Sequence, residues 1–443
     1  MKRWCIGIAV VLLLTMVSGC GDSSSVTVYD AAGQVLAVID TVDFEDSTLT
    51  DAGYGDYLRL ALSEAVTALV QTDGVSEKRA ARRLFSGGYE LYTAFDGAVY
   101  AALRDTYEAQ GEDSAFGSAV TDLKGALCAV YSGGGEGYCA LPQSPHSAIK
   151  PLSVYAPAMD AGLIHWGTRL TDEPYKRIEG EGGRLTDWPS NATGKYSYEK
   201  ESLAECVRYS LNTAAVHCLK DYGVSRSVEF LQNQLGVDLS AEVSRMEAGG
   251  EEEIIGNIAL GSLVNGVTPV ELAGYYQIFG NEGAYQRPYA LTELRWQGKT
   301  VYTAVYAPRQ IIKASTAGVM NHLLQEVTRR GATGEAAACE GLEVAGKTGT
   351  GDRSESNWFV GVTPEYSVAL WHGPREGGNR AAQLFASVIE RMPAHTQTAF
   401  SKVAGVHKGY FCKETGLLFT RKCSKIETGY YASEQTPTVC KGH

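Results

Sequence analysis

Three short stretches carry residue types able to run acyl chemistry: Ser147-Ala148-Ile149-Lys150, Ser210-Leu211-Asn212 and Lys347-Thr348-Gly349-Thr350. A serine hydroxyl is a weak nucleophile until a neighbour takes its proton. Lys150 stands three residues after Ser147, and positions i and i+3 share one side of a helix. A lysine can act as that base only while its amine is kept neutral, by burial or by a nearby positive charge. Lys347 is the candidate for that charge. The attacked carbonyl becomes an oxyanion, which needs donors aimed in advance. The Ser147 amide at a helix start and an amide of the Lys347–Thr350 stretch suit that task.

Each stretch alone is a weak signal. A second S-x-x-K occurs at Ser197-Tyr198-Glu199-Lys200, so the pattern also arises by accident. Context separates the two. Ser147 opens a run with Ile149, Leu152, Ala156 and Met159 at helical spacing and Gly162 as a stop, whereas Ser197 has no apolar face. Pro151 is tolerated in a first turn, and Pro157 predicts a kink. Ser210-Leu211-Asn212 taken alone is equally a helix cap, and Lys347-Thr348-Gly349 taken alone an ordinary strand end. The runs Ser356–Val362 and Tyr366–Trp371, joined by Thr363-Pro364-Glu365, predict a β-hairpin. Asp56 to Val70 reads as a helix with Leu58, Leu62, Ala65, Val66 and Leu69 on one side, docking on the main domain. Thr268, Pro269 and Glu271 form a capping box.

Taken in order, the three motifs are the active-site signature of penicillin-recognising serine enzymes. The chain resembles the transpeptidase domain of class A penicillin-binding proteins over roughly residues 54 to 443. Gly87–Asp96, Gly125–Val130, Ala259-Leu260-Gly261 and Gly266–Leu272 carry the likeness further, as does the tail with Cys412, Thr415-Gly416, Cys423, Pro437-Thr438 and Cys440. The resemblance implies a mixed α/β fold of the penicillin-binding transpeptidase and serine β-lactamase type, an antiparallel sheet flanked by helices, with a small N-terminal segment. It implies that Ser147 attacks the penultimate D-alanine carbonyl of a peptidoglycan stem peptide, with Lys150 as base. Ser210 would relay a proton to the leaving amine and Asn212 would hold the substrate amide. Lys347, Thr348 and Thr350 would hold the terminal carboxylate, and Gly349 would let the substrate backbone come close. β-Lactams would acylate the same serine. One position departs from the family, which usually has glycine where this chain has His146.

The implied division is a leader over 1–20, a tether and short β-like segment over 21–53, and a linker helix and entry strand over 54–96. The transpeptidase domain follows over 97–405, then a Cys-containing tail over 406–443. Val26–Ala37 resembles the segment that in class A proteins leads into a glycosyltransferase domain. No such domain fits between it and Gly53, and Glu45-Asp46 lacks the aromatic and histidine that would complete that domain's acidic motif. A separate glycosyltransferase is therefore an expected partner. Lys2 and Arg3 before the apolar run Ile6–Val17 have the shape of a signal peptide, too short for a comfortable membrane span. Val17-Ser18-Gly19-Cys20 resembles a bacterial lipoprotein box, with Cys20 the lipidated residue. An extracytoplasmic enzyme anchored to the membrane by lipid is expected, with Gly21–Ser25 as tether.

The chain has 443 residues and a net charge of −12, with no basic stretch suited to nucleic acid. No cofactor and no metal are expected. Besides Cys5 and Cys20 there are eight cysteines, whose pairing cannot be deduced. Cys128 and Cys139 flank a turn-like Ser132–Gly135 and could face each other, and Cys206 and Cys218 bracket the second motif. Zinc at Cys412, Cys423, Cys440 and His443 is disfavoured because close-pair ligand spacing is absent, leaving disulfides or buried thiols. Rival readings are a D,D-carboxypeptidase, a β-lactamase, and a β-lactam-binding sensor or scaffold with reduced catalysis. A histidine-dependent serine hydrolase lacks its G-x-S-x-G elbow here.

Overall fold

The computed structural model describes residues 25–40, 54–111, 114–135, 137–179, 183–351, 356–374 and 380–442. The leader, Cys20 and Glu45-Asp46 lie outside the described residues. Among the described residues no helix is long and apolar enough to cross a membrane.

Two five-stranded sheets organise the chain. The first starts with β1 (Ser25–Tyr29) and β2 (Val35–Asp40), an antiparallel pair turned at Asp30, whose carboxylate accepts the amides of Ala32 and Gln34. Helices α1 (Gly55–Asp73) and α2 (Glu77–Leu84) follow, and then β3 (Tyr89–Thr93) lies parallel to β1. The alternation of Tyr89, Leu91 and Thr93 inward with Glu90 and Tyr92 outward is the period-2 pattern of a half-buried strand. Two strands from the middle of the chain, Leu291–Trp296 and Lys299–Thr303, complete this sheet on the far side of β3.

Helix α1 joins the two halves of the molecule, as its apolar stripe predicts. Leu58, Leu62, Ala65 and Leu69 pack in the small core with Val26, Val28 and Leu294, while Tyr57 and Ala61 belong to the main core. The Tyr57 hydroxyl donates to the Leu127 carbonyl at 2.9 Å. The Glu64 carboxylate accepts the Ala290 and Leu291 amides at 2.8 and 2.7 Å, and burial pushes its carboxyl up to about 7.

The second sheet is antiparallel throughout. After α3 (Gly97–Ala109) come β4 (Phe116–Asp122) and β5 (Leu127–Gly133). Helices α4 (Leu203–Arg208), α5 (Asn212–Tyr222), α6 (Pro269–Tyr276) and α7 (Ala314–Gln325) precede the remaining strands. The Leu291–Trp296 and Lys299–Thr303 strands count as β6 and β7. They are followed by β8 (Ala345–Thr350), β9 (Asn357–Val362) and β10 (Tyr366–His372), then α8 (Arg380–Arg391). The order β8-β9-β10-β4-β5 leaves the Lys347 strand at an edge. The expected hairpin is β9–β10, closed by Thr363, and the capping box of α6 forms as read from the sequence. Helices α3, α6 and α8 pack against this sheet. The tail forms a two-stranded ribbon, β11 (Val406–Cys412) with β12 (Ile426–Ala432).

The cysteine pairings considered from sequence do not form. Cys128 and Cys139 remain thiols. The backbone at Tyr138 and Cys139 packs on Gly117, whose strand partner is Ser132, four residues along from Cys128 and so roughly 13 Å away at strand spacing. Cys206 on α4 and Cys218 on α5 are also buried thiols. Burial pushes both upward, Cys218 to about 12.

Candidate active site

The segment from His146 to Asp160 is helical in pieces rather than one kinked helix. His146–Ile149 is a 3-10 turn, Pro151–Tyr155 a π turn and Ala156–Asp160 an α turn. The two prolines supply the reason, because each removes an amide donor from the ladder. In an α-helix Pro157 would serve the Ser153 carbonyl, and the Ser227 hydroxyl donates to that carbonyl instead at 2.5 Å. The Tyr276 hydroxyl donates to the Ala148 carbonyl, also at 2.5 Å. Buried backbone acceptors left without donors cost about 1–3 kcal/mol each, so these side chains stabilise the irregular turns directly.

His146 explains how the departure from glycine is accommodated. Its φ is +48°, in the left-handed region where glycine is unstrained and other residues pay roughly 1–2 kcal/mol. A close approach to Gly261 holds it there. Its amide donates to the Gly261 carbonyl at 3.0 Å, and Gly261 has no side chain to obstruct it. A Cβ on Gly261 would stand 2.0 Å from the His146 carbonyl oxygen, at a backbone φ of +78°. Gly261→Ala should therefore displace the residue before Ser147. Misplacement of a reacting group by about 1 Å can cost on the order of 100-fold in rate. We expect acylation by a fluorescent penicillin to slow by about that factor, and stopped-flow labelling would measure it.

Ser147 sits half-buried on the 3-10 turn, and its carbonyl accepts the Lys150 amide. Strand β8 packs directly on this turn. A Cβ on Gly349 would come within 2.4 Å of the Pro145 carbonyl oxygen and 3.1 Å of the Ala148 nitrogen. The glycine expected to admit a substrate backbone is thus already used to admit the turn that carries Ser147. The indole of Trp358, the strand partner of Gly349, donates to the Ser144 carbonyl at 2.9 Å.

Lys150, Ser210, Asn212 and Lys347 meet at one point. Lys150 Nζ reaches Asn212 Oδ1 at 2.6 Å, the Ser210 carbonyl at 2.8 Å and Ser210 Oγ at 3.4 Å. Lys347 Nζ donates to Ser210 Oγ at 2.7 Å and to the Thr348 carbonyl at 3.0 Å. Both lysine side chains are fully buried, at 0% exposure. Burial, with Lys347 second, holds the Lys150 amine well below the usual lysine range. Burial alone brings Lys347 down to about 7. A neutral amine donates two hydrogen bonds and keeps one lone pair. Asn212 and the Ser210 carbonyl can take the two hydrogens of Lys150, and its lone pair remains to accept a proton.

Ser210 itself has φ +57°, and a cluster absent from the motif reading fixes its neighbourhood. Asn191 Oδ1 accepts the Asn212 amide at 2.8 Å, and the Asn212 carboxamide donates to the Ser190 carbonyl at 2.7 Å. Asp172 Oδ1 accepts from Asn191 Nδ2 at 2.7 Å and from the Thr213 hydroxyl at 2.6 Å. Burial alone would raise the Asp172 carboxyl, but hydrogen bonds from Thr213, Ser197 and Asn191 outweigh it and hold it below the usual carboxylate range. Nothing in the sequence around Asp172 or Asn191 marks them, since both stand in polar loops. The second S-x-x-K resolves as expected: Ser197 is exposed in a loop, outside any helix. Thr348 is half-buried and Thr350 exposed, at the open end of the edge strand.

A hydroxyl, two amines depressed by burial and an edge strand now share one location. The family profile described as "Penicillin binding protein transpeptidase domain" matches residues 135–390, which include all three motifs. The chain belongs to the penicillin-binding protein transpeptidase family. It is 30% identical over 258 residues to penicillin-binding protein 1A of Clostridium acetobutylicum, covering 56% of this chain and 30% of that protein. Among solved structures it is similar to the D,D-transpeptidase domain of the peptidoglycan glycosyltransferase from Eggerthella lenta. That match has a TM-score of 0.61 and 18% identity, over 84% of this chain and 98% of the other. It is also similar to the PonA1 protein of Mycobacterium tuberculosis in complex with penicillin V, with a TM-score of 0.62 and 19% identity over 79% and 97%. The fold of this penicillin-binding family member is therefore the mixed α/β, serine β-lactamase-like one expected. The chain spans 30%, 40% and 52% of the length of three penicillin-binding protein 1A relatives from clostridia.

Proposed function

We propose that this chain is a serine D,D-transpeptidase that cross-links peptidoglycan stem peptides through an acyl-serine intermediate. The observation that carries the reading is the convergence of Lys150 and Lys347, both buried, on the Ser210 hydroxyl. Ser147 Oγ attacks the penultimate D-alanine carbonyl while the neutral Lys150 amine takes its proton. The Ser147 amide and an amide of β8 hold the developing oxyanion. The C–N bond then breaks, and Ser210 relays a proton to the departing D-alanine amine. Lys347, Thr348 and Thr350 hold the terminal carboxylate, and Asn212 holds the substrate amide with its remaining N–H. The open edge of β8 suits a peptide added as a further strand.

A stem amine then attacks the acyl-serine and forms the cross-link. β-Lactams acylate Ser147 by the same first step, in keeping with the penicillin V complex of PonA1. We further propose the division into leader, tether, linker, transpeptidase domain and tail set out above, with lipid on Cys20 and a separate glycosyltransferase supplying glycan strands. Mass spectrometry of products from a purified pentapeptide substrate with an amine acceptor tests the reaction. Dimeric peptide with loss of D-alanine is the expected product. Tetrapeptide alone would make the chain a D,D-carboxypeptidase, and an unaltered substrate would remove the enzymatic reading.

A further inference from the structure

The tail beyond residue 405 buries little. Its buried apolar side chains are Phe411, Cys412, Ala432, Pro437 and Cys440, two of them cysteines. A lobe of that size rarely holds together on apolar burial alone, and small lobes commonly rely on a covalent or metal staple.

Backbone pairing around the tail brings three distant cysteines together. Cys412 ends β11 opposite Ile426, and its amide donates to the Leu417 carbonyl at 2.8 Å. Leu418 bridges antiparallel to Phe411 and parallel to Val439. The Cys440 amide donates to the Leu418 carbonyl at 2.8 Å, which carries the chain end back beside Cys412. A turn at Thr420 presents Cys423 to the same spot. The Sγ atoms of Cys412, Cys423 and Cys440 all lie within 4.8 Å of one another. Wide separation in sequence argued against metal binding, and folding removes that separation.

We infer that Cys412, Cys423 and Cys440 form a thiolate site for a zinc-class divalent cation that staples the tail. Three observations support it. Sulfur atoms around tetrahedral zinc, with Zn–S near 2.3 Å, stand about 3.8 Å apart, within the observed spread, whereas a disulfide needs about 2.05 Å. A disulfide would also use only two of three convergent sulfurs, while a metal ion uses all three. Finally, backbone amides are aimed at sulfur: Thr420 N donates to Cys423 Sγ and Gly442 N to Cys440 Sγ, each at 3.4 Å. Amide donors of that kind stabilise thiolate over thiol and orient metal ligands. On binding, each thiol gives up its proton to solvent and each sulfur donates a pair to the ion. Water can fill a fourth position. His443, three residues after Cys440, lies outside the described residues.

The staple bears on the site described above. Gln435 Nε2 donates to the Met159 carbonyl at 2.8 Å, and Glu434 accepts from Ser315 on α7. The tail therefore holds the far end of the segment from His146 to Asp160.

The test uses the full chain, purified under reducing conditions and loaded with zinc. Elemental analysis should give one zinc per chain, and chelation should lower the melting temperature. Cobalt loading should give a thiolate-to-cobalt charge-transfer band in the near ultraviolet. Cys423→Ser should lose that band and weaken zinc affinity by more than the roughly 100-fold that loss of an outer partner costs. Penicillin labelling of Cys423→Ser reports whether the variant is folded, and the cobalt spectrum of the unaltered chain stands whatever that variant does. A reduced chain that takes up neither zinc nor cobalt overturns the inference. So does a non-reducing peptide map, from chain isolated out of the cell envelope, that finds two of these cysteines disulfide-linked.

Discussion

Ser147→Ala should abolish covalent attachment of a labelled penicillin while leaving the melting temperature within about 1–2 °C, the shift that roughly 1 kcal/mol produces in a chain of this size. The expectation rests on chemistry that no neighbour can replace. Lys150 and Lys347 are occupied with Ser210 and Asn212, and Ser210 is donated to by Lys347 at 2.7 Å. Ser197 is exposed in a loop, where its amide donates to the Asp172 carboxylate at 2.8 Å. Gel fluorescence of the labelled variant, with circular dichroism as a fold control, decides the matter. Residual labelling at the unaltered rate would remove Ser147 from its proposed role.

Lys150→Ala should slow acylation by about two to four orders of magnitude, the usual contribution of a positioned general base. The pH profile adds a sharper signature. Lys150 must be neutral to accept a proton, and burial together with Lys347 lowers its pKa well below the lysine range. As pH falls through that lowered value the amine is protonated, and acylation should drop about tenfold per unit. On the alkaline side Lys347, brought to about 7 by burial, loses the charge that would attract a substrate carboxylate. The rate constant for acylation by a carboxylate-bearing β-lactam should therefore follow a bell. Its acid limb should vanish in Lys150→Ala. A variant that keeps both the normal rate and the acid limb would mean that another group takes the Ser147 proton.

The meeting of Lys150, Ser210, Asn212 and Lys347 was legible in the sequence, because such chemistry demands rare residue types. A neutralised lysine near a serine, and a second amine on a glycine-bearing strand, leave few substitutes. The accidental Ser197 motif was separable for the same reason, since no apolar stripe could bury its lysine. The β9–β10 hairpin and the α6 capping box were readable because local hydrogen bonding fixes them. What stayed hidden depends on contacts between distant segments. Asp172, Asn191 and Thr213 gather around Asn212 from separate loops, and each residue is ordinary in its own surroundings. The mixed turns after Ser147 followed from Pro157 only in part. The donors from Ser227 and Tyr276 that make them tolerable lie 74 and 128 residues away. The pairing of Cys128 with Cys139 weighed from spacing does not form, because strand register sets which residues meet.

The π turn at Pro151–Tyr155 has a geometric result of its own. Each extra residue in a turn rotates everything downstream by about 100° around the axis. Residues before the turn and residues after it therefore answer to different surroundings. Ser147 and Lys150 stand on one side of the turn, while Ala156 to Met159 on the other pack into the interior. Packing on the two sides of the turn is thus directed differently within a single short stretch of chain, whose far end the tail holds.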